Sequence, residues 1–86
     1  MQPERIEFPA DYPIKVVFDA QAGLRPRIDA IFDRYFGPQP ADNVRERHSA
    51  QGNFTSVTYT PRVEREAQLR ELHAELSALE GVVMVI

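Results

Sequence analysis

Hydrophobic and polar positions along the chain divide it into six segments, four of which are typical of β-strands. These four are short and lie between turn-forming residues, and three of them are rich in β-branched or aromatic residues. The first has three consecutive apolar residues, 16–18, which predicts a central strand covered on both faces. The second has Val44 as its only large aliphatic residue and is predicted to be a charged, exposed edge strand. The predicted strands are residues 12–19, 43–50, 54–60 and 82–86.

The other two segments have the period of an amphipathic α-helix. In the first, apolar residues recur every three or four positions from Leu24 to Tyr35, and Gly37 and Pro38 end the helix. The second helix runs from residue 64 to about residue 79 and ends before Gly81. Its predicted buried stripe consists of Leu69, Leu72, Leu76 and Leu79, widened by Ala67, Ala74 and Ala78.

The order of the segments, β-α-β-β-α-β, predicts an α+β protein with a ferredoxin-like fold. Each β-α-β half requires a right-handed crossover, which places both helices on one face of a four-stranded antiparallel sheet. The first and third strands are expected to be central. Residues 12–86 are predicted to form this single domain, and residues 1–11, which contain Pro3 and Pro9, an N-terminal tail.

Four short runs of residues together resemble one protein family, although each alone is weak. They are Phe8-Pro9-x-x-Tyr12-Pro13-Ile14-Lys15-Val16, Ser49-x-x-Gly52-Asn53-Phe54-x-Ser56-Val57-Thr58, Leu72-x-x-x-Leu76 and Val82-x-Met84-Val85-Ile86. In this order and spacing they resemble the YbeD-like family, a group of small bacterial proteins of unknown function. The resemblance covers nearly the whole chain.

The resemblance implies a ferredoxin-like domain similar to the ACT domains that regulate amino-acid enzymes, and hence a regulatory or adaptor role. Two positions depart from the family pattern. Gln51 stands where the family usually has a lysine in the hairpin, and Phe18 stands where it usually has a glycine. A role that depends on the hairpin lysine is therefore in doubt here.

The best candidates for a binding site lie in and beside the turn between the second and third strands. Glycine and asparagine tolerate the backbone conformations of tight hairpins, so Gly52 and Asn53 are equally explained by backbone geometry alone. Both interpretations stay open at this stage. The candidate binding residues are Ser49, Gly52, Asn53, Phe54 and Ser56.

Composition narrows the setting of the protein. A chain of 86 residues is long enough for one core, and the absence of cysteine excludes disulfides and thiolate metal ligands. A cytoplasmic location is the expectation, because the sequence has neither an export signal nor an apolar run of membrane-spanning length. The net charge is −3, and the arginines are spread along the chain with acids nearby. This pattern predicts a mixed, solvated surface and makes nucleic acid an unlikely partner.

The sequence gives little support to three kinds of specific chemistry. His48 and Ser49 are adjacent, but neighbouring strand residues point to opposite faces, which disfavours a serine hydrolase. The two histidines, His48 and His73, are too few for a zinc site. An acylphosphatase, which shares the fold, is the enzymatic alternative; it would use Arg25, but Asn53 is expected to lie too far away. We therefore predict no catalytic residues, no metal site and no cofactor.

An RNA-binding sheet is a further alternative, but Phe54 is the only aromatic residue expected on the uncovered face. That face has more apolar surface than two helices can cover. Either the tail folds over it through Ile6 and Phe8, or it binds a protein partner, a small metabolite or a second copy of the chain. We therefore expect a non-enzymatic regulatory or adaptor module with no membrane association.

Overall fold

The computed structural model describes residues 7–86 and has the predicted ferredoxin-like architecture with one addition. The predicted elements are β2 (Ile14–Asp19), α1 (Arg25–Phe36), β3 (Val44–His48), β4 (Phe54–Tyr59), α2 (Glu66–Ser77) and β6 (Val82–Val85). The addition is a two-stranded ribbon that pairs β1 (Ala10–Asp11) with β5 (Arg62–Val63). A short 3-10 turn, Ala41–Asn43, leads into β3.

The main sheet has four antiparallel strands in the order β3-β4-β2-β6. The prediction that the first and third predicted strands are central is confirmed, because these are β2 and β4. Their register is continuous from the Ile14–Tyr59 pair to the Asp19–Phe54 pair. This long, unbroken pairing fixes which side chains share a face, since successive strand residues point to opposite sides.

Both helices pack on the same face of the sheet, where they bury the core. The predicted stripe of α1 is confirmed at its centre, where Phe32 is fully buried and stacks on Tyr59 of β4 with ring centroids 3.8 Å apart. In α2 the stripe is narrower than predicted, because Ala74 and Ala78 are exposed. The buried core residues of this cluster are Ile14, Val16, Phe18, Leu24, Ile28, Ile31, Phe32, Val57, Tyr59, Leu72 and Leu76.

The face of the sheet turned away from both helices, here called the open face, corrects one prediction. The apolar run of β2 does not mean that both of its faces are covered. Val16 and Phe18 are buried beneath the helices, whereas Val17 points to the open face and is only half-buried. Its neighbours on that face, Lys15 and Asp19, are exposed.

The end of the predicted tail is anchored by the β1–β5 ribbon. Ala10 pairs with Val63 and Asp11 with Arg62, and the amide of Tyr12 donates to the carbonyl of Pro61 at 3.0 Å. Phe8 is half-buried. Ile6, the other residue through which the tail was expected to cover the open face, lies outside the described residues, so that expectation stays a prediction.

Candidate functional site

The open face is organised in three rows of side chains that run across the sheet. The first row joins Arg45, Thr58, Lys15 and Ile86, and the second joins Arg47, Ser56, Val17 and Met84. The third runs from Ser49 through Phe54 to Asp19. Each row is polar or charged at β3, and the first two are apolar at β6. The open face therefore has a basic half and an apolar half.

Ser49 and Gly52, two of the predicted binding residues, close the β3–β4 hairpin. The Ser49 hydroxyl accepts a hydrogen bond from the amide of Phe54 at 3.1 Å, and the Ser49 amide donates to the Phe54 carbonyl at 2.9 Å. Gly52 has φ of +74° and donates its amide to the Ser49 carbonyl at 2.9 Å. The turn therefore favours glycine at position 52, as the backbone interpretation predicts, whereas Asn53 does not have a positive φ.

The other three candidate residues follow this turn along the chain; they are Asn53, Phe54 and Ser56. The carbonyl of Asn53 accepts a hydrogen bond from the amide of Ala20 at 3.0 Å, so the hairpin is tied to the turn after β2. Phe54 lies on the open face, exposed over 43% of its surface, as predicted. Ser56 lies between Val17 and Arg47. The structure thus brings Ser49, Phe54 and Ser56 together, and the binding role of all five residues stays a prediction.

The basic half of the open face was missed in the sequence. Arg45 and Arg47 point to this face from β3, and Lys15 points to it from β2. A groove of about 290 Å³ lies among Lys15, Arg47 and the hairpin. Basic and acidic residues are mixed along the sequence, as predicted. The surface is not mixed at this place, because the pairing of β2 and β3 with β4 puts the three basic side chains on one face. The i, i+2 spacing of Arg45 and Arg47 is the feature of the sequence that indicates two basic side chains on the same face of a strand.

The apolar half results from an irregularity in β6. The partner of Val17 is Met84 and the partner of Phe18 is Val82, so Val83 is an extra residue. Such a bulge lets two successive side chains point away from the core. Val83, Met84 and Ile86 are exposed over 57%, 49% and 65% of their surfaces.

A second polar cluster, here called the helix-side network, joins β3 and β4 to α1 on the covered face. The Arg25 guanidinium donates to the carboxylates of Asp29 at 2.9 Å and Glu46 at 2.5 Å. The hydrogen bond to Asp29 is the largest cause of an upward shift in the pKa of Arg25. The buried Tyr59 hydroxyl donates to the same Asp29 carboxylate. Burial first, and this hydrogen bond second, raise the pKa of Tyr59.

His48 extends the helix-side network but does not meet Ser49. Its Nδ1 lies 3.2 Å from the hydroxyl of the buried Thr55, and its Nε2 lies 3.4 Å from Glu46. The Ser49 hydroxyl instead accepts from the hairpin backbone. The expectation that adjacent strand positions separate the two side chains is therefore confirmed.

The structure bears on the acylphosphatase alternative in two ways. Asn53 is close to the turn after β2, so the expectation that it lies too far away is wrong. Arg25, however, is held between two carboxylates rather than presented to a phosphate. A groove of about 550 Å³ beside it is lined partly by Asp29 and Asp33, whose negative charge disfavours an anionic substrate.

Two searches of residues 7–86 bear on metals and membranes. No group of three or more histidine, aspartate or glutamate side chains in this part of the chain is arranged to hold a metal ion. Neither described helix has the length and apolar character needed to cross a membrane.

Comparison with known sequences identifies relatives over the whole chain. Residues 3–86 match the model of a family described as "Protein of unknown function (DUF493)". A UPF0250 protein from Shewanella piezotolerans is 37% identical over 84 residues, covering 96% of this chain and 92% of that protein. A UPF0250 protein from Pseudomonas paraeruginosa is 36% identical over 87 aligned residues, covering 100% of this chain and 94% of that protein.

Two solved structures share the fold at low sequence identity. The solution structure of protein HP0495 from H. pylori has a TM-score of 0.75 and 17% identity, covering 99% of this chain and 89% of that one. The C-terminal domain of MgtC from Mycobacterium tuberculosis has a TM-score of 0.64 and 19% identity, covering 95% and 89%. These likenesses show the fold alone. The sequence matches show more: the chain belongs to the DUF493/UPF0250, YbeD-like family of small bacterial proteins of unknown function.

Proposed function

We propose that the chain is a non-enzymatic regulatory or adaptor module of the cytoplasm that binds a protein partner along β6 and the apolar half of the open face. The observation that carries this proposal is the composition of β6. It is an edge strand whose residues, Val82–Val85, include no charge and no proline. Natural proteins usually protect such edges, because their free backbone groups pair readily with another strand.

The exposed side chains beside this edge support the same partner. Met84 and Ile86 lie in adjacent rows of the open face, and Val17 joins them from β2. Contiguous apolar side chains of this kind are typical of protein-binding surfaces. A protein strand added to β6 would use the free backbone groups for affinity and these side chains for specificity.

The shape of the apolar half favours a protein over a small metabolite as its occupant. Small-molecule sites are usually concave and bury most of their ligand. Here Val83 and Met84 are exposed on β6, at the edge of the sheet. A second copy of the chain is one such protein, because a two-fold axis beside β6 and perpendicular to the sheet would pair the β6 strands of the two copies.

The test compares three immobilised proteins: the wild type, Met84→Lys and Ala74→Lys. Ala74 is exposed on α2, so its replacement adds the same charge away from the proposed surface. Each protein is incubated with bacterial extract, and the captured proteins are quantified by mass spectrometry. A captured protein is then purified and mixed with the wild type, and hydrogen exchange is measured.

The proposal predicts a protein, either a second copy or another chain, that protects the amides of β6. Met84→Lys should weaken its binding about tenfold or more, since central apolar residues dominate interface affinity. Ala74→Lys should bind as the wild type does. Equal capture by all three proteins, with no change in exchange at β6, would contradict the proposal. Sedimentation velocity of the wild type alone identifies the case of a second copy.

A further inference from the structure

The basic half of the open face has the arrangement of an anion-binding site. Lys15 and Arg45 both pair with Thr58, one on each side of β4. Because neighbouring strands are about 4.8 Å apart, the backbones of these two residues are about 10 Å apart. Arg47 is two residues beyond Arg45 on the same face, a separation of roughly 7 Å. Three cations thus surround a small area of the sheet.

These cations have no carboxylate partner among residues 7–86. The ion pairs in this part of the chain involve other basic residues, chiefly Arg25, Arg34, Arg62 and Arg70. Glu46, the acid between Arg45 and Arg47 in sequence, points to the helix side and contacts Arg25. Like charges placed together without a counter-charge raise the free energy of the protein, and a bound anion relieves this repulsion.

Asp19 is the one acid on the open face in the described strands, and its carboxylate is hydrogen-bonded to a backbone amide. Its carboxylate accepts a hydrogen bond from the amide of Gln21 at 2.9 Å. It lies in the third row, four residues along β2 from Lys15, or roughly 13 Å. The described strands therefore place three cations on the open face and one carboxylate, which lies far from Lys15 but pairs with Phe54, in a chain whose net charge is −3.

The groove among these residues adds neutral hydrogen-bond donors. It has a volume of about 290 Å³ and is lined by Lys15, Arg47, Ser49 and Ser56, with Phe54 and Val17 as apolar contacts. The Ser49 oxygen already accepts from the amide of Phe54, which leaves its hydroxyl proton to donate. An arginine fork, a lysine ammonium and serine hydroxyls together match the oxygens of a carboxylate or a phosphate.

We infer that this groove binds a small molecule through a carboxylate or phosphate group. Arg47 and Lys15 contact the anionic group, Ser56 donates to it from β4 between them, and Ser49 and Phe54 contact the remainder of the ligand. The inference deepens the proposed function, on which it rests for the role of the open face as a binding surface. It assigns a regulatory ligand to the basic half, beside the protein-binding edge.

The test is a titration of the ¹⁵N-labelled protein with inorganic phosphate and, separately, with succinate, at constant ionic strength. Amide shifts that saturate and that centre on residues 15, 47 and 56 are the expected result. Comparison of the two affinities shows whether the groove prefers a phosphate or a carboxylate group. The same titrations are run on Lys15→Gln, Arg47→Gln and the control Arg27→Gln. Arg27 is exposed on α1, so its replacement removes one charge far from the groove.

Arg47→Gln and Lys15→Gln should each weaken binding about tenfold, as expected for loss of a charged hydrogen bond, and Arg27→Gln should bind as the wild type does. Both groove residues are exposed, so the amide spectrum should show that the variants fold. Shifts that rise linearly in both arms, or equal losses in all three variants, would overturn the inference. Such a failure leaves the protein-partner proposal standing, because that test changes Met84 and keeps the groove intact.

Discussion

The main sheet ends in β3 on one side and β6 on the other, and these two edge strands differ in charge and in their contacts with the rest of the chain. At β3 the edge carries Arg45, Glu46 and Arg47, and its helix side is tied to α1 by the Arg25–Glu46 pair. At β6 the edge carries valines and a methionine, and two successive side chains are exposed at the bulge. Charges at an edge oppose pairing with another strand, whereas an uncharged edge permits it.

The difference supports the proposal that a protein partner associates at the β6 end rather than at the β3 end. At the β3 end, polar groups are satisfied within the chain on one side and form the basic half of the open face on the other. At the β6 end, the strand carries no charge, and Val83 and Met84 are exposed in the described part of the chain. A partner that binds by strand addition is therefore directed to β6.

The largest effect is expected from the core residues that fix each end of the sheet. Tyr59 is 1% exposed, stacks on Phe32 and pairs with Val44 at the β3 end, whereas Val85 is half-buried at the β6 end. Tyr59→Ala should lower the free energy of unfolding by about 3–5 kcal/mol, and Val85→Ala by about 1–2 kcal/mol. Urea denaturation measures both. Equal losses would mean that the two ends are held equally firmly.

Replacing the glycine beside each edge strand should give a smaller difference in stability. Gly81 precedes β6 with φ of +102°, and an added Cβ would lie 3.0 Å from Leu24 Cδ1 and 3.1 Å from Ala22 Cβ. Gly52, in the β3 hairpin, has open space around the same atom. Gly81→Ala should therefore cost about 2–3 kcal/mol and Gly52→Ala about 1 kcal/mol. Thermal unfolding compares them, and a greater loss from Gly52→Ala would refute the crowding argument.

The smallest effect concerns pH and the helix-side network. Folding raises the pKa of Tyr59 above its ordinary value of about 10, so its stabilising contribution is complete below about pH 10 and is lost as the pH rises further. Tyr59→Phe should flatten the decline of melting temperature above about pH 10. Tyr35→Phe, which removes a half-buried hydroxyl bonded to Glu75, is the control. A decline in Tyr59→Phe as steep as in the wild type would contradict the shift.

Local pattern was sufficient to predict the fold but only part of the candidate site. The leucine spacing of α2, the alternation of β4 and the glycine of the hairpin are each visible within a few residues, and each was predicted correctly. The meeting of Lys15 with Arg45 and Arg47 depends on the register of β2 and β3 against β4, which no short stretch reveals. The two-residue strands β1 and β5 were missed because they are too short to show a period.

The proximity of Asn53 to Ala20 was missed for the same reason. Both residues lie at turns, and only the pairing of β2 with β4 brings those turns together. The apolar run 16–18 misled the prediction because it contains three residues of one strand, of which only two face the helices. A run of three does not distinguish a strand buried on both faces from one with a single valine on the open face.

The bulge in β6 also sets how the chain tolerates changes in length. Val83 is the extra residue between the partners of Val17 and Phe18, so a chain lacking one of the two valines at 82 and 83 would keep Met84 opposite Val17 and a valine opposite Phe18. No such spare position exists in β4, where loss of Ser56 would shift part of the strand by one residue and exchange its buried and exposed side chains. Single-residue deletions should therefore be accepted at the beginning of β6 and rejected in the middle of the sheet.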